Sequence, residues 1–201
     1  MKKLLIATKN PAKVNEFKDF LKDLSFKFVS LKDLGIDKDI EEDGKTYIEN
    51  SQKKALFFAK IANLPTIADD GGIEISALGN APGVRTRRWL GHHSTDEELI
   101  NHMHKLSKTL PDNNRKARFV TVVSLALPSG KVFSVKGKVN GIISKTPKES
   151  FMKGYPFRSF FYLVKIKKFF YENQLSKAEQ RLYNHRYIAS QKLKRFIKKY
   201  A

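Results

Sequence analysis

No cysteine occurs in the 201 residues, which excludes a disulfide framework, a zinc-thiolate site and a thiol nucleophile. Long apolar runs are missing too. The stretch Leu4-Leu5-Ile6-Ala7 meets polar residues far short of a signal peptide's apolar core or a membrane-spanning helix, so a soluble, cytoplasmic chain is expected. Acid is scarce in one half only. Residues 1–100 hold sixteen Lys/Arg and sixteen Asp/Glu, whereas residues 101–201 hold twenty-three Lys/Arg against Asp112, Glu149, Glu172 and Glu179. The whole excess of +19 therefore sits in the second half. Such an excess attracts polyanions, whether a nucleoside triphosphate or nucleic acid. Equally, Lys-rich stretches such as Lys192 to Lys199 form solvated helix faces.

The length suits one sizeable core, so residues 1–201 are read as a single domain. Lys2 to Thr8 reads as a buried first strand, and Pro11 suits the first turn of a helix whose Val14, Phe17, Leu21 and Leu24 recur at helical spacing. Thr8 to Lys13 then spans a strand-to-helix loop, a place that favours an anion. Phe26 to Ser30 reads as a strand, Leu31 to Gly44 as an acidic loop, and a helix follows from Thr46. Thr95 and Glu98 make a capping box for a helix running to about Leu106. Arg118 to Leu127 and Lys131 to Lys138 read as a hairpin about Pro128-Ser129-Gly130. Further strands are expected at Val139 to Ser144 and near Phe160 to Ile166, then one helical pattern from Ser176 onward. The class is mixed α/β.

The segment Thr66-Ile67-Ala68-Asp69-Asp70-Gly71-Gly72 is the most informative. It reads as a short strand carrying two carboxylates into a glycine turn, with Ile73-Glu74-Ile75 as the strand beyond. Two carboxylates presented in this way can make a hard-metal site, although the segment by itself reads equally as a plain hairpin. Two histidine pairs, His92-His93 and His102/His104, lack a one-face helical spacing and read as surface residues.

Thr8-Lys9-Asn10-Pro11-Ala12-Lys13, Glu41-Glu42-Asp43-Gly44-Lys45-Thr46, Glu49-Asn50, Lys54-Ala55, Ala68-Asp69-Asp70-Gly71-Gly72, Pro82-Gly83-Val84 and Asn184-His185-Arg186 act as a set. In order and spacing they resemble the Ham1-like inosine triphosphate pyrophosphatase family. The resemblance spans residue 2 to about residue 190 and is densest through residue 91. It implies a mixed central sheet with flanking helices, in an elongated, two-lobed single domain with a central cleft, usually as a homodimer. It also implies Mg2+-dependent hydrolysis of non-canonical purine triphosphates (ITP, dITP, XTP) to monophosphate and pyrophosphate, which cleanses the nucleotide pool.

By the same resemblance Glu41 is a metal ligand, Asp70 is general base and metal ligand, and Lys54 balances phosphate charge. Thr8, Asn10 and Lys13 match the phosphate-binding loop. Gly71 stands where the family commonly has a serine that contacts substrate. Tyr155 is the candidate for stacking on the base, and His185 with Arg186 completes the substrate contacts. Departures cluster in the second half, where Pro156 replaces a glycine, Arg158 an aspartate, Gln180 a lysine and Asn184 a serine. They motivate an alternative of another class, a family member turned basic nucleotide- or nucleic-acid-binding protein. The acidic metal-site candidates favour the enzyme, because a simple polyanion binder has no use for them.

Overall fold

The computed structural model describes residues 1–171 and 174–201. Strands β1 (Lys3–Ile6), β2 (Lys27–Ser30), β3 (Thr66–Ile75), β4 (Lys116–Ala126), β5 (Val132–Ile143), β6 (Phe161–Leu163) and β7 (Lys168–Phe169) form one sheet in the order β2-β1-β3-β4-β5-β6-β7. β1 runs parallel to both β2 and β3, whereas β6 pairs antiparallel with β5 and β7, so the sheet is mixed. Helices α1 (Pro11–Phe20), α2 (Tyr47–Ala62), α3 (Asp96–Thr109), α4 (Lys177–Tyr183) and α5 (His185–Tyr200) flank it. Among the described residues no helix is long and apolar enough to cross a membrane.

Two compact units share these elements, and β3, β4 and β5 each contribute residues to both. The first unit holds residues 1–70, 121–137 and 186–201. Its part of the sheet is covered on both faces, so β1 reads as an unbroken apolar run. Leu4, Ile6 and Ile67 pack with Val14, Phe17 and Leu21 from α1 and with Leu193 and Ile197 from α5. Leu5, Ala7 and Ala68 face the opposite way, onto Ala55, Phe58 and Ala59 of α2. A chain of hydroxyls fastens α2 further: Ser51 and Ser124 lie 2.8 Å apart, Ser124 and Ser134 2.8 Å apart, and Gln52 donates to Ser134 at 3.0 Å.

The second unit, residues 71–120 and 138–185, carries α3 and α4. The expected capping box of Thr95 and Glu98 starts α3. Arg115, buried, donates to the carbonyls of Ser107, Leu110 and Ile143 and so holds the end of α3 to the sheet.

Several expectations are corrected. Asp69 to Gly72 form no turn, because β3 runs straight through them as one ten-residue strand. Asp-Gly is a turn signal only where the backbone is free to reverse, and here β1 pairs alongside the start of β3 while Gly72 lies tight against the segment after Pro82. Val139 to Ser144 is not a separate strand but the continuation of β5. The C-terminal helical pattern is two helices, since Asn184 takes extended angles (φ −111°, ψ 112°) between α4 and α5. α1 ends at Phe20, although Leu21 and Leu24 still enter the core. The strand expected near Phe160 to Ile166 covers only Phe161–Leu163, and β7 was not anticipated at all. His102 and His104 are not ordinary surface groups, because their rings meet Trp89 at 4.5 Å and Phe160 at 5.0 Å.

Gly72 supplies a test of the straight strand. A Cβ there would fall well inside contact distance of the Thr86 hydroxyl and the Gly83 carbonyl. Gly72→Ala is expected to lose about 1 to 3 kcal/mol of stability, read by urea denaturation. An unchanged midpoint would mean that the segment can move aside.

Candidate active site

The charged groups of the first unit converge on β3. Asp69 and Asp70 are neighbours on an extended strand, so their side chains leave on opposite faces. Asp69 shares the face of Ile67, toward α1 and α5, and Asp70 shares the face of Ala68, toward α2.

Asp69 is completely buried. Lys13 of α1 places its ammonium 3.0 Å from Asp69 Oδ2, and Arg186 of α5 donates from Nε to the same oxygen at 3.0 Å. Arg186 also donates to Glu16 at 2.8 Å. Burial alone would raise the Asp69 carboxyl, but the cations Lys13, Arg186 and Lys54 outweigh it and hold the carboxyl well below the usual carboxylate range.

Asp70 sits in the contrary environment. Asn50 of α2 donates from Nδ2 to Asp70 Oδ2 at 3.0 Å, and the Asp70 carbonyl accepts from the Thr121 hydroxyl at 3.1 Å. Burial, then the negative field of Glu42, push the Asp70 carboxyl up to about 6. Lys54, one turn beyond Asn50, is ion-paired with Glu42. Its ammonium would be lowered by burial, but Glu42, Asp69 and Asp70 together raise it, so it stays a cation.

The loop between β1 and α1 is ordered by its own side chains. Asn10 caps α1, its Oδ1 accepting from the amides of Ala12 at 2.9 Å and Lys13 at 3.4 Å, while Thr8 Oγ1 accepts from the Asn10 amide at 3.2 Å. Pro11 occupies the first helical position, where its missing N–H costs nothing.

Of the acidic pair at the loop, Glu42 is the one whose field reaches Asp70, whereas Glu41 is exposed. Asn50 belongs to the motif set, and its role does not follow from the sequence. Yet its carboxamide bridges Asp70 and the acidic loop, since Oδ1 also accepts from the Gly44 amide at 2.8 Å. The signal available in the sequence was its place one residue after Glu49, on the helix face four residues before Lys54. Among the described residues no three His, Cys, Asp or Glu side chains cluster closely enough to cage a metal ion. Mg2+ does not require such a cage.

The candidates of the second unit form another group. The guanidinium of Arg158 lies 3.7 Å from the ring centroid of Tyr155 and 4.6 Å from that of Phe170, a sandwich that covers one face of the tyrosine. His185 stacks on Phe119 at 5.1 Å with planes 14° apart and meets Phe170 edge-on. Gly154 donates its amide to Asp96, which also accepts from Arg87 at 2.7 Å, so the loop carrying Tyr155 is tied to the start of α3. Gly71 follows Asp70 along β3.

A mixed seven-stranded sheet with paired carboxylates buried on its third strand marks an α/β protein built around a charged site. The model of the Ham1 family matches residues 4–196, and the chain belongs to that family. A protein of Clostridium perfringens named dITP/XTP pyrophosphatase is 34% identical over 204 residues, covering 98% of each chain. One of the same name from Thermus thermophilus is 37% identical, covering 92% of this chain and 86% of its own. The HAM1 protein of Coxiella burnetii has the same fold at a TM-score of 0.82 and 31% identity, over 99% of this chain and 100% of its own.

The two carboxylates make opposite contributions to stability. Asp69→Asn takes the buried anion away from Lys13 and from the buried Arg186, which keeps Glu16, and is expected to cost about 3 kcal/mol at neutral pH. Asp70 has a raised folded pKa, so its contribution is full below about pH 4 and is lost as pH rises through about 6. In chelator, Asp70→Asn should therefore be more stable than the parent at pH 7.5 and indistinguishable from it near about pH 4. Thermal melts at both pH values check this, and a variant less stable at pH 7.5 would contradict it.

Proposed function

We propose that this chain hydrolyses purine nucleoside triphosphates with deaminated bases (ITP, dITP and XTP) to the monophosphate and pyrophosphate. The observation that carries the proposal is the division of labour at β3. One buried carboxylate is locked as an anion by two cations, and its neighbour is poised near neutrality. Pairs of titratable groups whose environments push their pKa values apart are the pattern of acid-base catalysis. The names borne by full-length relatives support the choice of substrate.

Asp70 is the proposed general base, orienting a water and taking its proton, with Asn50 fixing the carboxylate's direction. Lys54 and Lys13 oppose the charge of the polyphosphate, and Thr8 and Asn10 shape the loop that receives it. The donor set fits Mg2+: Asp70 and Glu42 repel one another, both offer hard oxygen ligands, and a divalent cation relieves that repulsion. Asp70 with the acidic loop, through Glu42 and Glu41, would hold it. Bound there, Mg2+ supplies charge neutralisation for the phosphates and the departing pyrophosphate.

Arg186 is proposed to act on substrate indirectly, because its guanidinium is engaged by Asp69 and Glu16. Gly71, Tyr155 and His185 are proposed substrate contacts, Tyr155 by stacking on the base. Residues 1–201 are taken as one catalytic domain, acting as a cytoplasmic homodimer.

Pyrophosphate and phosphate release from ITP, dITP, XTP, GTP and ATP tests the proposal, with and without Mg2+. Pyrophosphate should come from the deaminated purines and vanish with chelator. Asp70→Asn should lower kcat about 100- to 10,000-fold with its fold intact. Turnover of none of the five, or full turnover in the variant, would overturn the reading.

A further inference from the structure

The outer side of α5 carries a second chemistry, remote in role from the carboxylates. Ala189, Leu193 and Ile197 send one stripe of this helix into the core. Lys192, Arg195, Phe196, Lys199 and Tyr200 recur at three- and four-residue spacing on the adjoining stripe. β5 meets it with Phe133, whose ring lies between those of Phe196 and Tyr200, at 4.8 and 4.5 Å with planes 21° and 15° apart.

Cations border this stack. The Arg195 guanidinium is 4.6 Å from the Phe196 centroid, the Lys131 ammonium lies beside two rings at once, 4.3 Å from the Tyr200 centroid and 5.3 Å from that of Phe133, and the Lys199 ammonium is 5.2 Å from Tyr200. Lys131, Lys192, Arg195 and Lys199 are all exposed. Acid is missing around them: residues 121–137 and 186–201 contain eight Lys/Arg and no Asp or Glu. Asp23 and Glu16, acids that reach these segments from other elements, are engaged by Lys194 at 2.6 Å and Arg186 at 2.8 Å.

We propose that this face binds single-stranded nucleic acid, with phosphates on Lys131, Lys192, Arg195 and Lys199 and a base stacked on the outer face of Tyr200. A flexible lysine held beside a ring only by a cation-π contact leaves it for a phosphate at little cost, and the π-face of a ring accepts any base. A duplex keeps its base faces covered and has no use for a ring platform. An anionic membrane calls for apolar anchors, but the exposed large apolar side chains are Met1, Ile48, Ile61, Val164 and Leu182, none on α5 or β5. The inference is independent of the hydrolytic reading, since none of these residues belongs to the proposed catalytic machinery.

The test is fluorescence anisotropy of end-labelled oligothymidylate and oligouridylate, about twenty nucleotides long, titrated with the full chain across a range of salt. Four phosphate contacts predict a slope of log affinity against log salt of about −3. Tyr200→Ala should weaken binding about tenfold, and Tyr200→Phe, which keeps the π-face, should bind like the parent. A triple variant with Lys131→Glu, Arg195→Glu and Lys199→Glu should lose binding while its melting temperature and its dITP hydrolysis match the parent.

No binding even at about 50 mM salt overturns the proposal, given the strength of nonspecific phosphate contacts under such conditions. So does equal affinity for heparin with no loss in Tyr200→Ala, which would be attraction to any polyanion. Preference for phosphatidylglycerol vesicles over the oligonucleotides, lost in the triple variant, overturns it in favour of a membrane surface.

Discussion

The carboxylate of Asp69 is the constraint on which the rest of the first unit depends. It is a buried anion with two cationic partners, the partly exposed Lys13 and the buried Arg186, from opposite ends of the chain. Isolated, each of these charges would be costly to bury. Together they tie α1, β3 and α5 into one arrangement, because any shift that parts them leaves charge without compensation in a low-dielectric interior. The long-range closure of the chain onto its own beginning is thus electrostatic as well as apolar, with the Val14, Phe17, Leu193 and Ile197 cluster beneath it.

Once Asp69 is turned toward α1 and α5, the geometry of an extended strand decides the fate of Asp70. The neighbour must point the other way, where α2 supplies an amide donor and a loop supplies another acid. Adjacent residues of one type therefore acquire opposed protonation behaviour without any special backbone. The straightness of β3 is what makes this possible. A turn at Gly71-Gly72 would have left both carboxylates at the surface, with ordinary acidities and no division of roles.

Much of this was legible in the sequence. Pro11 and the pair Thr95 with Glu98 are local signals, and each starts a helix in the structure, as does the helical pattern after Ser176. The apolar run of β1 was readable because a strand covered on both faces needs no alternation. What failed is equally physical. Asp-Gly signals a turn because turn chemistry is local, whereas the pairing that straightens β3 comes from strands distant in sequence. The break at Asn184 was hidden because helical spacing continues across it. The pairing of Asp69 with Lys13 and Arg186 was out of reach for the same reason: the motif set named the residues, and only the fold says which of them meet. Glu41 and Glu42 stand side by side in an exposed loop, and nothing in their order tells which will turn toward Lys54.

The hydroxyl chain beneath α2 has a direction. When the single proton of Ser51 goes to the carbonyl of Ile48, at 3.1 Å, the contact with Ser124 is filled by the proton of Ser124. Ser134 must then donate to Ser124, and Gln52, whose amide nitrogen can only donate, feeds Ser134. The circuit begins and ends on α2 after passing through β5 and β4, with every proton assigned by the two ends. Bonds aligned head to tail polarise one another in the same sense. The helix that presents Asn50 and Lys54 is thus seated on a one-way current of hydrogen bonds, in which a hydroxyl can be exchanged for another hydroxyl but not for a methyl.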